Sequence, residues 1–129
     1  MIYNVLVVED NDLLFRMYSA VLIELHCRVL RAATVAQSIH ALGLERFDLA
    51  IVDLRLPDGS GAEVIRAIRA NAALESVPVV VITTQANAPD QAEALAAGAS
   101  TVLFKPVNIQ ELGTAVRGCL TGRQGAVTP

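Results

Sequence analysis

Four polar groups interrupt otherwise apolar runs of this chain at places where chemistry is possible: Glu9-Asp10, Asp53, Thr83-Thr84 and Lys105-Pro106. Each ends a short run rich in β-branched residues, so each is expected at the carboxyl end of a strand. Three carboxylates, a hydroxyl and an ammonium would then meet at one edge of a sheet. Carboxylates that close repel one another unless a cation neutralises them. Mg²⁺ suits such a site, because this hard octahedral ion is usually held by one or two carboxylates together with water and phosphate oxygens. Glu9 and Asp10 lie at the strand end itself and are placed for a metal. Asp12, two residues on, reads instead as helix N-terminal charge favoured by the macrodipole. Asp53, at the end of a buried strand, is costly there without a partner. Lys105 is the only lysine among ten basic residues. A chain that uses arginine for every other positive charge keeps a compact, flexible ammonium at this one position, as pairing with a carboxylate and then a phosphoryl oxygen requires.

The elements that must position these groups alternate along the chain. Asn4–Val8, Arg28–Ala32, Leu49–Val52, Pro78–Thr83 and Thr101–Phe104 read as strands. The runs at 4–8, 49–52 and 78–82 are apolar almost throughout, as central strands covered on both faces are. Between them lie helical periods. Leu14, Met17, Val21, Leu22 and Leu25 form one buried stripe, and Leu112, Val116, Cys119 and Leu120 another. Thr34-x-x-Gln37, Ser60-x-x-Glu63 and Asn108-x-x-Glu111 are capping-box patterns or close variants. Pro89-Asp90 suits a helix's first turn, and Gly98 suits the C-terminal cap of that helix. Strand–helix alternation repeated five times predicts right-handed crossovers and an α/β fold, a parallel sheet with helices on both faces. In such a sheet the reactive crevice lies beyond the carboxyl ends of the strands, where strand order reverses. Lys105-Pro106 is a place for a cis peptide at a tight turn, which the sequence leaves open.

Composition narrows the classes. The chain has 129 residues, 53% hydrophobic and 18% charged, with a net charge of −3. That length fits one domain, since domains run to ~100–200 residues. The apolar content excludes intrinsic disorder. No basic stripe exists to displace counterions from nucleic acid. No apolar run approaches the ~20 residues that span a bilayer, and no leader opens the chain, so a soluble, cytoplasmic protein without membrane insertion is expected. Cys27 and Cys119 match no metal or redox spacing and read as small apolar residues near helix ends; His26 and His40 read as surface histidines. Residues 1–121 are expected to form the domain and 122–129 a flexible tail or a truncated linker.

The segments VLVVEDN at 5–11, IVDLRLPDGSG at 51–61, VITT at 81–84, AGAS at 97–100 and LFKP at 103–106 stand in an order and spacing that resemble a response-regulator receiver domain over residues 3–121. The resemblance implies a flavodoxin-like fold, five parallel strands in the order 2-1-3-4-5 with five helices. It also implies that Asp53 accepts a phosphoryl group from a histidine kinase or histidine phosphotransfer protein. By the same resemblance, Glu9 and Asp10 match the acidic pair that organises Mg²⁺, and the backbone carbonyl of Arg55 its third protein ligand. Thr83 matches the hydroxyl that moves to the phosphoryl oxygen, and Lys105 the ammonium that pairs with it. The switching surface would be residues 89–121, acting on a downstream protein target or forming a homodimer; direct nucleic-acid contact is not expected. Such a protein is a signalling phosphoacceptor of a two-component phosphorelay, its only chemistry being its own phosphorylation and dephosphorylation.

Two positions depart from the family pattern. Val102 stands three before Lys105, where the family commonly has a rotating aromatic, and Phe104 lies one pleat further along. Thr84 follows the switch hydroxyl, where alanine or glycine is usual; its branched side chain is expected to narrow access to Asp53, giving slower phosphotransfer or a longer-lived phosphoryl group. Arg55 and Gln85 flank the site at positions that tune hydrolysis in the family. The main alternative is a receiver-like module that binds a partner without phosphorylation, against which the intact five-residue site argues. A phosphoaspartate hydrolase of the haloacid-dehalogenase type needs a second aspartate where Arg55 stands. A flavodoxin would show stacking aromatics, and this chain has two tyrosines, three phenylalanines and no tryptophan.

Overall fold

A computed structural model describes the backbone of residues 2–84 and 88–127, and side chains for residues 2–84 and 89–121. Gln85 lies outside the described residues. Strands β1 (Tyr3–Val8), β2 (Cys27–Ala32), β3 (Leu49–Asp53), β6 (Val79–Thr84) and β7 (Thr101–Lys105) form one parallel sheet in the order β2-β1-β3-β6-β7. Helices α1 (Asp12–Glu24), α2 (Val35–Leu44), α3 (Gly61–Ala70), α4 (Ala88–Ala97) and α5 (Ile109–Val127) connect and flank it. This is the flavodoxin-like α/β arrangement and strand order expected from the sequence, with β6 and β7 as fourth and fifth strands. A short antiparallel ribbon of β4 (Arg55–Leu56) and β5 (Gly59–Ser60), where no strand is expected from the sequence, fills the link from β3 to α3.

The apolar strands alternate their side chains between two cores, as the period of two dictates. Leu6, Val8, Ala50, Val52, Val79 and Val81 pack with α3 residues Val64, Ile65 and Ile68 on one side. Val5, Val7, Leu49, Ile51, Val80 and Ile82 pack on the other with Tyr18 and Leu22 of α1 and Leu112, Val116 and Leu120 of α5. Both faces of β1, β3 and β6 are covered, which is why these runs carry almost no polar residue. Connections from β1 and β3 leave toward opposite faces, and a crevice opens between their carboxyl ends. Among the described residues no helix is long and apolar enough to cross a membrane.

Helix starts follow the predicted caps. Thr34 Oγ1 accepts from the Gln37 N–H at 3.0 Å, and Asn108 Oδ1 from the N–H groups of Gln110 and Glu111 at 2.7 and 3.3 Å. Ser60 accepts from Ala62, while the Glu63 carboxylate reaches back to the Ser60 N–H. Pro89 falls in the first turn of α4, and Gly98 ends that helix with φ of +116°. Three details differ from expectation. β2 opens one residue earlier than expected, at Cys27, which is buried and three residues past the end of α1 as a small apolar residue near a helix end. The helical run of α5 continues past residue 121 to Val127. Tyr18, one residue off the predicted stripe of α1, is 1% exposed.

Candidate functional site

The carboxyl edge of the sheet gathers the predicted groups. Asp53 is the last residue of β3 and 6% exposed. Its Oδ2 accepts from Lys105 Nζ at 2.9 Å and its Oδ1 from the Arg55 N–H at 3.2 Å. Lys105 ends β7, two strands away, and the cis Lys105–Pro106 peptide turns the chain there. Glu9 follows β1 and is 1% exposed. Its Oε2 accepts from the Asn11 N–H at 3.2 Å, and its Oε1, 3.4 Å from the Lys105 ammonium, has no hydrogen-bond partner among the described residues. Asp10 is exposed at the mouth. One oxygen each of Glu9, Asp10 and Asp53 lies within 4.8 Å of the others. Thr83 is buried in β6, one residue beyond Ile82, which pairs with Asp53.

This donor set fits a hard divalent cation. Among the described residues three carboxylates face one ammonium, and one buried carboxylate oxygen has that ammonium 3.4 Å away but no hydrogen-bond partner. Burial and the neighbouring Asp53 charge push the Glu9 carboxyl up to about 7, against the bond from Asn11 and the Lys105 charge. Burial would lower Lys105, but the hydrogen bond to Asp53 and the two carboxylates raise it. Lys105 therefore stays charged, and the site stores negative charge that a cation would relieve.

The two departures from the family pattern have defined places. Val102 sits in β7 opposite Val81 and packs on the α3 side of the sheet. Phe104 is half-buried and pairs in register with Thr83, one pleat nearer the end of the strand. Thr84 is exposed at the end of β6, opposite Lys105.

Four further residues have surroundings that the sequence alone does not show. The Tyr18 hydroxyl is buried with no hydrogen-bond partner among the described residues and is pushed well above its ordinary range by burial and by the charges of Glu9 and Asp53. Its spacing of four from Leu14 is the signal that could have found it. Arg31, on edge strand β2, donates to the carbonyls of Glu9 and Asp10 and pairs with Asp12. Asp58, in the ribbon's turn, accepts from the first N–H groups of α2, Val35 and Ala36, which lowers its carboxyl. Asp90 of α4 pairs with the Arg55 guanidinium at 3.2 Å. The last three depend on contacts between segments far apart in sequence, which no local pattern encodes.

A parallel sheet of this order, with an acidic cluster and a lysine at its carboxyl edge, defines the receiver class of flavodoxin-like folds. The chain belongs to the response regulator receiver domain family, whose family model matches residues 5–117. It is 36% identical over 126 residues to the KDP operon transcriptional regulatory protein KdpE of Escherichia coli strain K12, covering 98% of this chain and 55% of that one. It is 32% identical over 124 residues to the two-component response regulator PhoP of Pseudomonas aeruginosa, covering 96% and 54%. The chain thus spans about half the length of these curated relatives. Among solved structures, the receiver domain of a sensor histidine kinase from Pseudomonas aeruginosa PAO1, with magnesium coordinated in its active-site cleft, is 30% identical with a TM-score of 0.85, covering 94% of this chain and 99% of that one. The chemotaxis response regulator CheY4 of Vibrio cholerae is 28% identical with a TM-score of 0.86, covering 93% and 100%.

Proposed function

We propose that Asp53 is the phosphoacceptor of a two-component phosphorelay, phosphorylated by a histidine kinase or histidine phosphotransfer protein in the cytoplasm. The observation that carries this reading is the Asp53 carboxylate itself: buried at a strand end, bonded to Lys105 at 2.9 Å and clustered with Glu9 and Asp10. A carboxylate oxygen of Asp53 attacks the phosphorus of a phosphohistidine, and a new P–O bond forms. The P–N bond breaks, and its electron pair leaves on the imidazole nitrogen. Lys105 follows the charge onto a phosphoryl oxygen, and Thr83 donates its hydroxyl to another. Glu9, Asp10, Asp53 and the Arg55 carbonyl would hold Mg²⁺, which when bound offsets negative charge on the transferring oxygens.

Phosphorylation adds roughly 1.5–2 negative charges where Lys105 already bridges two carboxylates. Drawing Lys105 and Thr83 toward the phosphoryl group repacks β6, β7 and the elements beside them, so the output surface is residues 89–121. That surface would meet a downstream protein or a second copy of the chain. The test uses phosphoramidate with Mg²⁺, followed by intact-mass analysis. Native protein is expected to gain one phosphoryl group and Asp53→Asn none. An equal gain in both, or none in either, contradicts the assignment.

A further inference from the structure

We infer that Arg31 is a positioning residue of the metal site, clamping the acidic loop from the neighbouring edge strand. The inference rests on the reading of Glu9 and Asp10 as metal-holding residues. Arg31 lies on β2, and its side chain reaches across to the loop after β1. Nε donates to the Glu9 carbonyl at 3.1 Å and Nη2 to the Asp10 carbonyl at 3.1 Å. Nη2 also sits 2.8 Å from Asp12 Oδ1, and the guanidinium carbon stacks 4.7 Å from the centroid of the Phe15 ring. The residue after Arg31 completes the tie, because the Ala32 carbonyl accepts from the Glu9 N–H at 3.0 Å.

A planar guanidinium suits this job where an ammonium would not. Its fixed fork serves two carbonyls and a carboxylate at once while its face packs on an aromatic ring. Asp12 and Phe15 are three apart on α1, so both present to the same side of the helix. Fixing the carbonyls of Glu9 and Asp10 fixes the peptide planes from which their carboxylates project. Groups that orient metal ligands typically contribute 10- to 100-fold in metal affinity. Asp12, held by Arg31, is kept on the β2 side of the loop.

Charge and position make opposite predictions, so the roles separate. Removing a cation near the site should tighten Mg²⁺ binding by Coulomb's law, whereas losing the clamp should weaken it. The experiment is calorimetric titration of Mg²⁺ alone, at fixed ionic strength, into native protein, Arg31→Met, Arg31→Lys and Arg28→Met. Arg28, on the same strand with its guanidinium 3.9 Å from Glu45, controls for lost charge. Thermal unfolding of each variant verifies that it is folded. The expected result is a Kd raised roughly 10-fold in Arg31→Met and several-fold in Arg31→Lys, with Arg28→Met unchanged. Native-like or tighter binding in Arg31→Met overturns the inference, as does full rescue by lysine, which would reduce Arg31 to a charge partner of Asp12. Failure of native protein to bind Mg²⁺ contradicts the metal-site reading itself and this inference with it.

Discussion

At the scale of single residues, the site is defined by charges that its burial makes expensive. The folded Glu9 carboxyl titrates at about 7 rather than its ordinary 4.5, because burial and Asp53 disfavour its charged form. A raised pKa favours the folded state while the group is protonated. Stability from Glu9 is therefore fully present below about 4.5 and is lost as pH rises through about 7. Urea unfolding of chelator-treated protein across that window should show this loss, and Glu9→Gln should flatten it. Mg²⁺ competes with the same proton, so Mg²⁺ affinity should rise with pH through the window and binding should release protons. Tyr18 gives a second prediction. Its buried hydroxyl has no hydrogen-bond partner among the described residues, so Tyr18→Phe should leave stability unchanged or raise it by up to about 1 kcal/mol. Thr84, exposed opposite Lys105, bears on lifetime: Thr84→Ala should shorten the dephosphorylation half-life if its side chain shields Asp53. The candidate residues Glu9, Asp10, Asp53, Thr83 and Lys105 were legible because each ends an apolar run. Arg31 and Tyr18 were not read, one because it acts across strands and the other because a hydroxyl hid it from the apolar stripe.

At the scale of elements, the joints around β3 decide how firmly the site is held. Gly61 begins α3 with its N–H on the Leu54 carbonyl at 2.8 Å. A Cβ there would run into the Asp53 carbonyl and stand 2.7 Å from Val52 Cγ1. Gly61→Ala should thus destabilise the fold by roughly 1–3 kcal/mol through overpacking, and displace Asp53 as it does so. Its urea midpoint should fall, and so should its phosphorylation rate. Arg69 of α3 is the corresponding fastening for α4. Its guanidinium donates twice to the Gly98 carbonyl, at 2.7 and 3.1 Å, and once each to Glu75 and Val77. Truncation to alanine leaves those carbonyls without their donor and should cost roughly 2–4 kcal/mol in urea unfolding. Strands and helix starts were legible at this scale, since periodicity and capping residues are local. The β4–β5 ribbon was not, because its two-residue strands are too short to carry a period and its anchor, Asp58, caps a helix more than twenty positions earlier.

At the scale of the whole molecule, the order β2-β1-β3-β6-β7 places the acidic loop, Asp53 and Lys105 around one crevice, with Thr83 between Asp53 and Lys105 in strand order. The alternation of strands and helices made the parallel sheet legible, and the handedness rule for crossovers narrowed its topology. The strand order itself came from the resemblance of five motifs, not from periodicity, since every central strand is equally apolar. The pairs Arg55–Asp90 and Ser60–Glu93 join the β3–α3 link to α4, and β7 joins the fifth strand to Lys105. The measurement that tests the central claim most directly is thermal unfolding with Mg²⁺, with and without beryllofluoride, on native protein and Asp53→Asn. Beryllofluoride stands in for the phosphoryl group and needs no kinase. A ligand that binds only the folded state raises stability, by about 2.7 kcal/mol at a hundredfold excess over its Kd. Native protein is expected to show a rise that requires Mg²⁺ and vanishes in Asp53→Asn. No rise in native protein, or the same rise in both, would contradict that claim.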